Sequence, residues 1–160
     1  MKPSFSGRRA CYVATALVVA ASSAHAQSSR TVEINLDTVT FAPSLGVDLS
    51  ASKRVVRGLY SRDLSIGTGS MARRDAKLTV RYAGSLADGT AFTEPAEPPA
   101  TFTLGAGTVI QGWERGLSGM REGGRRQLVI APALGYGGRQ TGLIPPNSVL
   151  VFDVELVSVR

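Results

Sequence analysis

Cysteine and histidine are almost absent from this chain of 160 residues. The only cysteine is Cys11 and the only histidine is His25, and both fall within residues 1–26, a segment that we expect to be removed. The remaining chain would have no cysteine nucleophile, no Ser-His-Asp relay, and no thiolate or imidazole ligand for a metal ion. A chain without cysteine is compatible with an oxidising compartment, although it makes no use of disulfide bonds there.

Residues 1–26 have the organisation of a secretory signal peptide. Three cations within residues 2–9 precede a largely apolar run, residues 10–21, and residues 24–26 form an Ala-x-Ala cleavage site. The apolar run is shorter than the roughly 20 residues that span a bilayer, and no later run approaches that length. We therefore predict an exported protein, periplasmic or secreted, without a membrane span after cleavage. Loss of the three cations lowers its formal net charge from +6 to +3.

Strong clusters of charge and complete phosphate-binding motifs are also missing. Arg73-Arg74 and Arg125-Arg126 are short basic pairs beside predicted strands, without aromatic neighbours, so we do not expect nucleic acid as a partner. Gly105-Ala106-Gly107 precedes a helical segment, but Ile110 stands where a dinucleotide fingerprint has its third glycine. The carboxylates show no spacing typical of paired acid–base groups. We expect no cofactor.

One segment, Val109 to Met120, has a clear helical period. Ile110, Trp113, Leu117 and Met120 are three, four and three residues apart, so they line one face of a short helix. Trp113 is the only tryptophan of the chain, and a lone tryptophan on an apolar helical face is most often a core residue. The helix is therefore expected to lie across a sheet with this face buried.

Most of the chain after residue 58 has the alternation of β-strands. Leu78, Val80 and Tyr82, for example, share one face of a strand, and Asp88-Gly89 is typical of a hairpin turn. Strands are predicted near residues 59–66, 77–85, 90–93, 101–104, 126–130 and 148–159. These patterns predict an α+β domain, residues 58–160, in which an antiparallel sheet of about five strands has one helix on its inner face.

Residues 27–57 show no comparable pattern. Polar residues alternate irregularly with apolar ones, and Phe41-Ala42-Pro43 and Leu45-Gly46-Val47 interrupt any period. We expect an extended N-terminal arm of low order with a few apolar anchors, serving as a linker or as a tail that faces a partner.

The side chains that remain as candidates for a site are aromatic and apolar. Tyr82, Phe92, Trp113, Tyr136 and Phe152 come from five separate segments. Both tyrosines are compatible with a core position if each hydroxyl is satisfied. Tyr136, however, lies in a loop between glycines, where a buried ring would have little cover, and this argues against a purely structural role.

Six blocks of the sequence resemble, in the same order, the FKBP-type peptidyl-prolyl isomerases, the macrolide-binding immunophilins. The resemblance covers residues 58–160. The blocks are Val80-Arg81-Tyr82-Ala83-Gly84, Asp88-Gly89-Thr90-Ala91-Phe92, Val109-Ile110-Gln111-Gly112-Trp113-Glu114-Arg115-Gly116-Leu117, Gly135-Tyr136-Gly137, Ile144-Pro145-Pro146-Asn147 and Leu150-Val151-Phe152-Asp153-Val154-Glu155-Leu156. The resemblance implies a bent antiparallel sheet wrapped over one short helix, which agrees with the pattern described above.

The resemblance also implies an aromatic pocket with Trp113 as its floor. The residues that it implies for catalysis are Tyr82, Phe92, Ile110, Trp113, Tyr136 and Phe152. Those implied for substrate binding are Val109, Thr93, Phe102, Leu143 and Ile144, with the last two on the rim. In such proteins the backbone N–H of Ile110 and the hydroxyl of Tyr136 donate hydrogen bonds to carbonyls of the ligand. No metal ion is implied.

Three features depart from the family pattern. Thr93 stands where the family usually has an aspartate, immediately after the pocket phenylalanine. Ala100 replaces an aromatic residue that is often found two positions before Phe102, and the loops at 93–100 and 137–143 are slightly short. Since Thr93 brings no charge, we expect weakened binding of macrolides and reduced isomerase activity.

The implied function is peptidyl-prolyl cis-trans isomerisation that accelerates the folding of exported proteins. The expected partners are proline-containing unfolded or exported polypeptides and, more weakly, macrolide inhibitors. An alternative is a catalytically slow pocket that holds proline-containing segments as a chaperone or docking module, which the Thr93 departure favours. A purely structural exported protein is a third hypothesis.

Overall fold

The computed structural model describes residues 32–93 and 98–160. The predicted signal peptide, the first residues of the predicted arm (27–31) and residues 94–97 of the predicted loop at 93–100 lie outside the described residues. The strands are β1 (Lys53–Val56), β2 (Leu59–Ser65), β3 (Lys77–Leu86), β4 (Ala91–Thr93), β5 (Ala100–Thr103), β6 (Arg125–Ile130) and β7 (Leu150–Val159). The helices are α1 (Gln111–Gly116) and the short 3-10 turns Leu36–Thr38, Pro43–Leu45 and Pro132–Leu134.

The strands form one antiparallel sheet in the order β1-β2-β6-β7-β3-β4, and β5 also pairs with β3. The long strand β3 pairs with β7 along one side, while β5 and β4 share its other side. The predicted fold class is confirmed, but the described residues form a sheet of seven strands, which is larger than the predicted sheet of about five. The short strand β1 is too brief to show alternation, and it is positioned by pairing with β2 across a turn at Gly58, where φ is 81°.

Helix α1 has six residues and is shorter than the periodic segment that predicts it. It ends at Gly116, and the φ of 78° at Gly119 prevents the helix from extending to Met120. Of the four residues predicted for one helical face, Trp113, Leu117 and Met120 are buried and Ile110 is half-buried, but only Trp113 lies within α1 itself. Among the described residues, no helix has the length and apolar character needed to cross a membrane.

Two glycines determine how closely α1 approaches the sheet. Gly112 and Gly116 are one turn apart on the same face of the helix. A Cβ atom at Gly112 would lie 2.6 Å from Ile130 Cδ1, and one at Gly116 would lie 2.7 Å from Leu128 Cδ2. Because each glycine also lowers the intrinsic helix propensity by about 1 kcal/mol, packing against β6 must supply much of the stability of α1.

The core between α1 and the sheet contains the inward-facing side chains of the alternating strands. This inner core includes Leu59, Leu78, Val80, Trp113, Leu117, Leu128, Ile130, Leu150, Phe152, Val154 and Leu156. On β7, the inward residues Leu150, Phe152, Val154 and Leu156 are 0–3% exposed, as the alternation predicts.

The opposite face of the sheet is covered by residues 34–49, which have little regular structure. Their apolar side chains pack on outward-facing residues of β2 and β6 and on the beginning of β7. The resulting outer core contains Leu36, Tyr60, Val129, Ala131, Val149 and Val151, with Ile34, Val39, Phe41, Leu45, Val47 and Leu49 packed against it.

Hydrogen bonds attach this segment to the sheet. The Tyr60 hydroxyl donates to Asp37 Oδ1 at 2.5 Å, and Gln127 Nε2 donates to the Leu45 carbonyl at 2.8 Å. Residues 34–49 thus have more fixed contacts than their irregular sequence predicts, and most of the apolar side chains that pack on the sheet lie outside the 3-10 turns. The division of the chain at residue 58 stays a prediction, and β1 already belongs to the sheet.

Candidate active site

The indole ring of Trp113 lies at the centre of an aromatic cluster in the inner core. Its centroid is 4.8 Å from that of Tyr82 on β3 and 5.3 Å from that of Phe152 on β7, with interplanar angles of 86° and 82°. Phe102 on β5 lies 5.7 Å away on a tilted plane. Edge-to-face pairs contribute about 0.5–1.5 kcal/mol beyond the burial of their surface. Three strands therefore fix the orientation of one ring carried by the helix.

A cavity of about 640 Å³ adjoins this cluster. Its lining consists of Tyr82, Ala100, Thr101, Phe102, Thr103, Ala106, Thr108, Val109, Ile110, Trp113, Tyr136 and Phe152. Trp113 is 6% exposed, so most of its ring is packed and only a small part borders the cavity. The volume falls within the range of roughly 300–1,000 Å³ that is usual for small-molecule pockets.

A carboxylate on α1 fixes the loop that forms one wall of this cavity. Glu114 accepts hydrogen bonds from the backbone N–H groups of Gly105 and Gly107, at 2.5 and 2.9 Å. Both glycines have positive φ, 91° and 71°, so the loop bends sharply around Ala106, which lines the cavity. Since charged acceptors form stronger hydrogen bonds than neutral ones, Glu114 positions this wall relative to the helix.

An unused backbone donor faces the same space. Ile110 is the residue immediately before α1 and lines the cavity. The first N–H groups of a helix have no intrahelical acceptor. The N–H of Ile110 forms no hydrogen bond within residues 32–93 and 98–160, so it is available to a carbonyl of a ligand.

Tyr136 lines the cavity from a loop that is held together by backbone hydrogen bonds between its own residues. Gly137 N donates to Pro132 O at 2.9 Å, and Asn147 N donates to Gly137 O at 2.7 Å. Tyr136 is 36% exposed. Burial, with a smaller contribution from Tyr82, raises the pKa of the Tyr136 hydroxyl above its usual value of about 10. The hydroxyl is therefore protonated at neutral pH and can donate a hydrogen bond.

The structure brings together seven of the eleven predicted site residues. Those that line the cavity are Tyr82, Val109, Phe102, Ile110, Trp113, Tyr136 and Phe152. They come from β3, β5, α1, β7 and two loops, so only the folded sheet makes them neighbours. Their catalytic and binding roles stay predictions.

The other four predicted residues do not line the cavity. Phe92 packs against Phe152, with ring centroids 5.5 Å apart, and so supports the wall from behind. Thr93 ends β4 and pairs with Gly84 on β3. Ile144 is 6% exposed and belongs to the inner core, whereas Leu143 is 75% exposed. The predicted rim therefore differs from the lining that the structure shows, and the roles of these residues in substrate binding stay predictions.

Five lining residues are absent from the sequence-based site. They are Ala100, Thr101, Thr103, Ala106 and Thr108. Their only signal in the sequence is proximity to Phe102 and Val109, because small and hydroxyl side chains have no characteristic pattern. The bonds of Glu114 to the loop also have no signal, since they join a helix to a separate turn.

The chemistry that this lining supports is binding rather than covalent attack. The lining contains aromatic and aliphatic side chains and threonine hydroxyls, and the Ile110 N–H and the Tyr136 hydroxyl can donate hydrogen bonds into the cavity. None of the lining residues is charged. Within the described residues, no three His, Cys, Asp or Glu side chains are grouped so that they could hold a metal ion. Such a cavity can accept an apolar ring and donate hydrogen bonds to carbonyls beside it.

Comparisons with known proteins all point to one family. The model of the FKBP-type peptidyl-prolyl cis-trans isomerases matches residues 69–157. The FK506-binding protein of Neisseria meningitidis serogroup B is 45% identical over 105 residues, which cover 64% of this chain and 96% of that protein. FK506-binding protein 4 of Chaetomium thermophilum is 42% identical over 119 residues, covering 74% of this chain and 23% of that protein.

Solved structures agree with these relatives. The crystal structure of a peptidyl-prolyl cis-trans isomerase from Pseudomonas syringae pv. tomato has a TM-score of 0.62 at 35% identity, covering 68% of this chain and 80% of that chain. FkpA from Escherichia coli has a TM-score of 0.62 at 38% identity, covering 69% of this chain and 52% of that chain. Because the family model spans more than half of the sequence, and because the Neisseria relative matches over nearly its whole length, this chain belongs to the family of FKBP-type peptidyl-prolyl cis-trans isomerases.

Proposed function

We propose that this protein rotates X–Pro peptide bonds in the cavity floored by Trp113, and that its substrates are exported polypeptides during folding. The observation that carries the proposal is the convergence of five aromatic rings, together with the Ile110 N–H and the Tyr136 hydroxyl as hydrogen-bond donors, on one uncharged cavity. A proline ring fits an apolar space of this size, and its neighbouring carbonyls can meet Ile110 N–H and the Tyr136 hydroxyl.

An uncharged cavity can accelerate this reaction without forming a bond to the substrate. Rotation about a peptide bond breaks its resonance, at a barrier of about 18–20 kcal/mol, and X–Pro isomerisation takes tens to hundreds of seconds. The planar amide is more polar than the twisted one, because twisting removes charge separation. Transfer from water into an aromatic cavity therefore disfavours the planar state more. Each 1.4 kcal/mol or so of such differential binding increases the rate about tenfold.

The two hydrogen-bond donors, Ile110 N–H and the Tyr136 hydroxyl, determine the orientation of a bound peptide. Ile110 N–H and Tyr136 are on different elements, so together they hold a bound peptide in one turned conformation while the proline ring remains in the apolar space. Fixed donors require no reorganisation during the reaction, which makes them more effective than water. The raised pKa of Tyr136 keeps its proton in place throughout the neutral range.

A refolding assay tests the proposal. The mature protein should accelerate the refolding of a small protein limited by X–Pro isomerisation, and Tyr136→Phe combined with Trp113→Ala should remove most of that acceleration. Tyr60→Phe is the matched control, since Tyr60 is in the outer core and does not line the cavity. Circular dichroism establishes whether each variant is folded. If the double variant is unfolded, Tyr136→Phe alone is tested in its place. Equal acceleration by all variants would exclude this cavity as the catalytic site.

The exported location is supported by the signal-like sequence of residues 1–26, which lies outside the described residues. Expression of the full chain in a bacterial host should give a periplasmic protein whose N terminus is Gln27. An intact Met1 in the cytoplasmic fraction would contradict this part of the proposal.

Binding of a macrolide should be weakened by Thr93. This residue ends β4 beside Phe92, where the family usually has a carboxylate. Restoring the charge with Thr93→Asp should raise both the affinity for the macrolide and the isomerase activity. Thr93→Asn is the matched control because it has a similar shape without the charge. If Thr93→Asp changes neither quantity, the attribution to this position is wrong.

The second candidate function is a binding module that holds proline-containing segments without rapid catalysis. The replacement of the expected aspartate by Thr93 favours it. The same refolding experiment distinguishes the two functions, since the module would suppress aggregation without accelerating the proline-limited phase. Titration of the mature protein with a proline peptide, followed by Trp113 fluorescence, would detect binding in either case.

A further inference from the structure

A second cavity lies at the opposite end of α1 from the aromatic one. It has a volume of about 460 Å³. Its lining, which we call the basic groove, consists of Ala51, Lys53, Val55, Ser61, Arg62, Asp63, Arg115, Gly116, Ser118, Gly119 and Arg126. Residues of β1, β2 and β6 form one side of the groove, and the end of α1 with the turn that follows it forms the other.

Most of the charge in the basic groove is positive. Of its five charged residues, Asp63 alone is acidic, and it is already neutralised by Arg126, whose Nε lies 2.6 Å from Asp63 Oδ1. Arg126 also donates to the carbonyls of Gly116, at 2.8 Å, and Ser118, at 3.3 Å, so its guanidinium is fixed as part of the wall.

The other three cations of the basic groove have no ion pair in the part of the chain that the structure describes. They are Lys53, Arg62 and Arg115. Arg115 donates to the neutral Gln111 Oε1 at 3.3 Å. Asp48 feels Arg62 only weakly: the pKa of its carboxyl is lowered first by a hydrogen bond from Ser50 and least by Arg62, and Asp48 does not line the groove. Three cations without an ion pair, around one concavity, attract an anion with several charges.

We propose that the basic groove binds an acidic segment of polypeptide, as a second contact for the protein substrates of the aromatic cavity. The volume is larger than one carboxylate needs and accommodates several residues of chain. Strand β1, which contributes Lys53 and Val55, lies at the end of the sheet and within the described residues pairs only with β2. Its free edge can form backbone hydrogen bonds with an extended segment.

The shape and lining of the basic groove favour a polypeptide over other polyanions. A concave site does not lie flat on a bilayer surface, which presents its anionic headgroups in a plane. Single-stranded nucleic acids are usually held by aromatic side chains on which the bases stack, and the groove has no aromatic residue. An acidic chain segment needs only cations and an open strand edge.

The position of the basic groove suits a second contact. Ile110 and Trp113 line the aromatic cavity near the start of α1, whereas Arg115 and Gly116 line the groove at its end. The rise between residues 110 and 116 is about 9 Å, which an extended chain crosses in roughly three residues. A substrate held by its proline can therefore place nearby acidic residues in the groove, and two linked contacts bind more tightly than either alone. This step rests on the proposed function only for the choice of partner.

Binding of a short proline-free peptide rich in glutamate tests the inference independently of catalysis. The peptide should bind the mature protein, as measured by fluorescence anisotropy, and the same peptide with every glutamate replaced by glutamine should not. The triple variant Lys53→Gln, Arg62→Gln, Arg115→Gln should bind roughly tenfold more weakly. Raising the salt from about 0.01 to about 0.1 M, which shortens the Debye length from about 30 to about 10 Å, should weaken binding by the unmodified protein.

The matched control removes three cations elsewhere. Arg73→Gln, Lys77→Gln, Arg160→Gln changes the net charge equally, and these exposed residues do not line the groove. The proposal is overturned if this control weakens binding as much as the groove variant, if the glutamine peptide binds equally well, or if neither peptide binds. It is also overturned if an oligonucleotide or anionic vesicles bind the groove more tightly than the peptide.

Failure of the proposed function would be seen separately. Activity on a short neutral X–Pro peptide does not involve the groove, so it should be the same in the groove variant and in the unmodified protein. Peptide binding without any isomerase activity would support the groove and contradict the proposed function. Isomerase activity without peptide binding would support the proposed function and contradict the groove.

Discussion

The two faces of the sheet are buried in different ways. The inner face is covered by a short regular helix, which approaches closely because Gly112 and Gly116 have no side chains. The outer face is covered by residues 34–49, whose only regular elements are two 3-10 turns. Both coverings exclude water from apolar residues, but the cavity and its donors lie on the inner face alone. Both faces therefore contribute buried apolar residues, and the cavity lies on the face whose covering element is the helix that carries Trp113.

Removal of residues 27–49 should have the largest effect, and it should act on stability. Leu36 alone is 2% exposed, and truncation of a buried leucine to alanine costs about 2–5 kcal/mol. We therefore expect the free energy of unfolding to fall by more than about 3 kcal/mol in a chain that begins at residue 50, as measured by urea denaturation. Folded molecules should retain their isomerase activity, because the segment contributes no lining residue of the aromatic cavity.

Leu36→Ala gives the graded control for that truncation and should lie between the two chains in stability. If the truncated chain unfolds at the same urea concentration as the mature chain, the segment is an accessory tail and the outer core does not stabilise the sheet.

Gly112→Ala should have the next largest effect, since it tests the close approach on the inner face. Its new methyl group would meet Ile130 at 2.6 Å, and overpacking of this kind costs about 1–3 kcal/mol. The neighbouring Gln111→Ala is the control, because Gln111 is exposed and alanine has the higher helix propensity. Thermal unfolding measures both variants. Stabilisation by Gly112→Ala would show that contact with β6 does not limit the position of the helix.

Tyr60→Phe should cost about 1 kcal/mol at neutral pH, because it removes one hydrogen bond between the outer segment and the sheet. The hydrogen bond to Asp37, followed by burial, raises the pKa of the Tyr60 hydroxyl above 10. The stabilisation is therefore complete below about pH 10 and is lost as the pH rises through the folded-state value. Urea midpoints of both proteins should differ at neutral pH and converge as the pH rises through the folded-state pKa of Tyr60. A constant difference across this range would mean that the hydrogen bond is not what Tyr60 contributes.

Glu114→Gln should have the smallest effect, and it should act on activity rather than on stability. Gly105 and Gly107 donate to different oxygens of Glu114, whereas the amide has a single acceptor oxygen, so the variant loses one acceptor and the charge that strengthens both bonds. We expect kcat/KM to fall about two- to fivefold as the wall around Ala106 loosens. Glu155→Gln is the matched control, because Glu155 faces outward on β7. Equal kcat/KM values for the two variants would show that Glu114 does not position the wall.

Much of the inner face could be predicted from the sequence. The alternation of Leu150, Phe152, Val154 and Leu156 places all four inward, and the spacing of Trp113 and Leu117 identifies the buried face of the helix. Such patterns are readable because a strand or helix repeats its direction at a fixed period. Residues 34–49 have no period, so their contacts with Val129 and Val151 could not be predicted in this way.

The candidate site was only partly predictable. Family blocks identify rings such as Tyr82 and Tyr136, which the structure places around one cavity. They do not reveal that Ile144 is in the core, or that threonines of β5 complete the lining. The hydrogen bonds of Glu114 to a loop seven to nine residues away are likewise absent from any local pattern.

By itself, the sequence determined the family, the α+β class, the strands from β2 onward and five of the aromatic residues that line the cavity, because periodicity and motifs are local properties. The tertiary structure alone decided that a seven-stranded sheet forms, that an irregular segment covers its outer face, and that three cations from β1, β2 and α1 share a groove. The physical reason is that distances between side chains on different elements depend on how those elements pack, and packing depends on the whole chain at once.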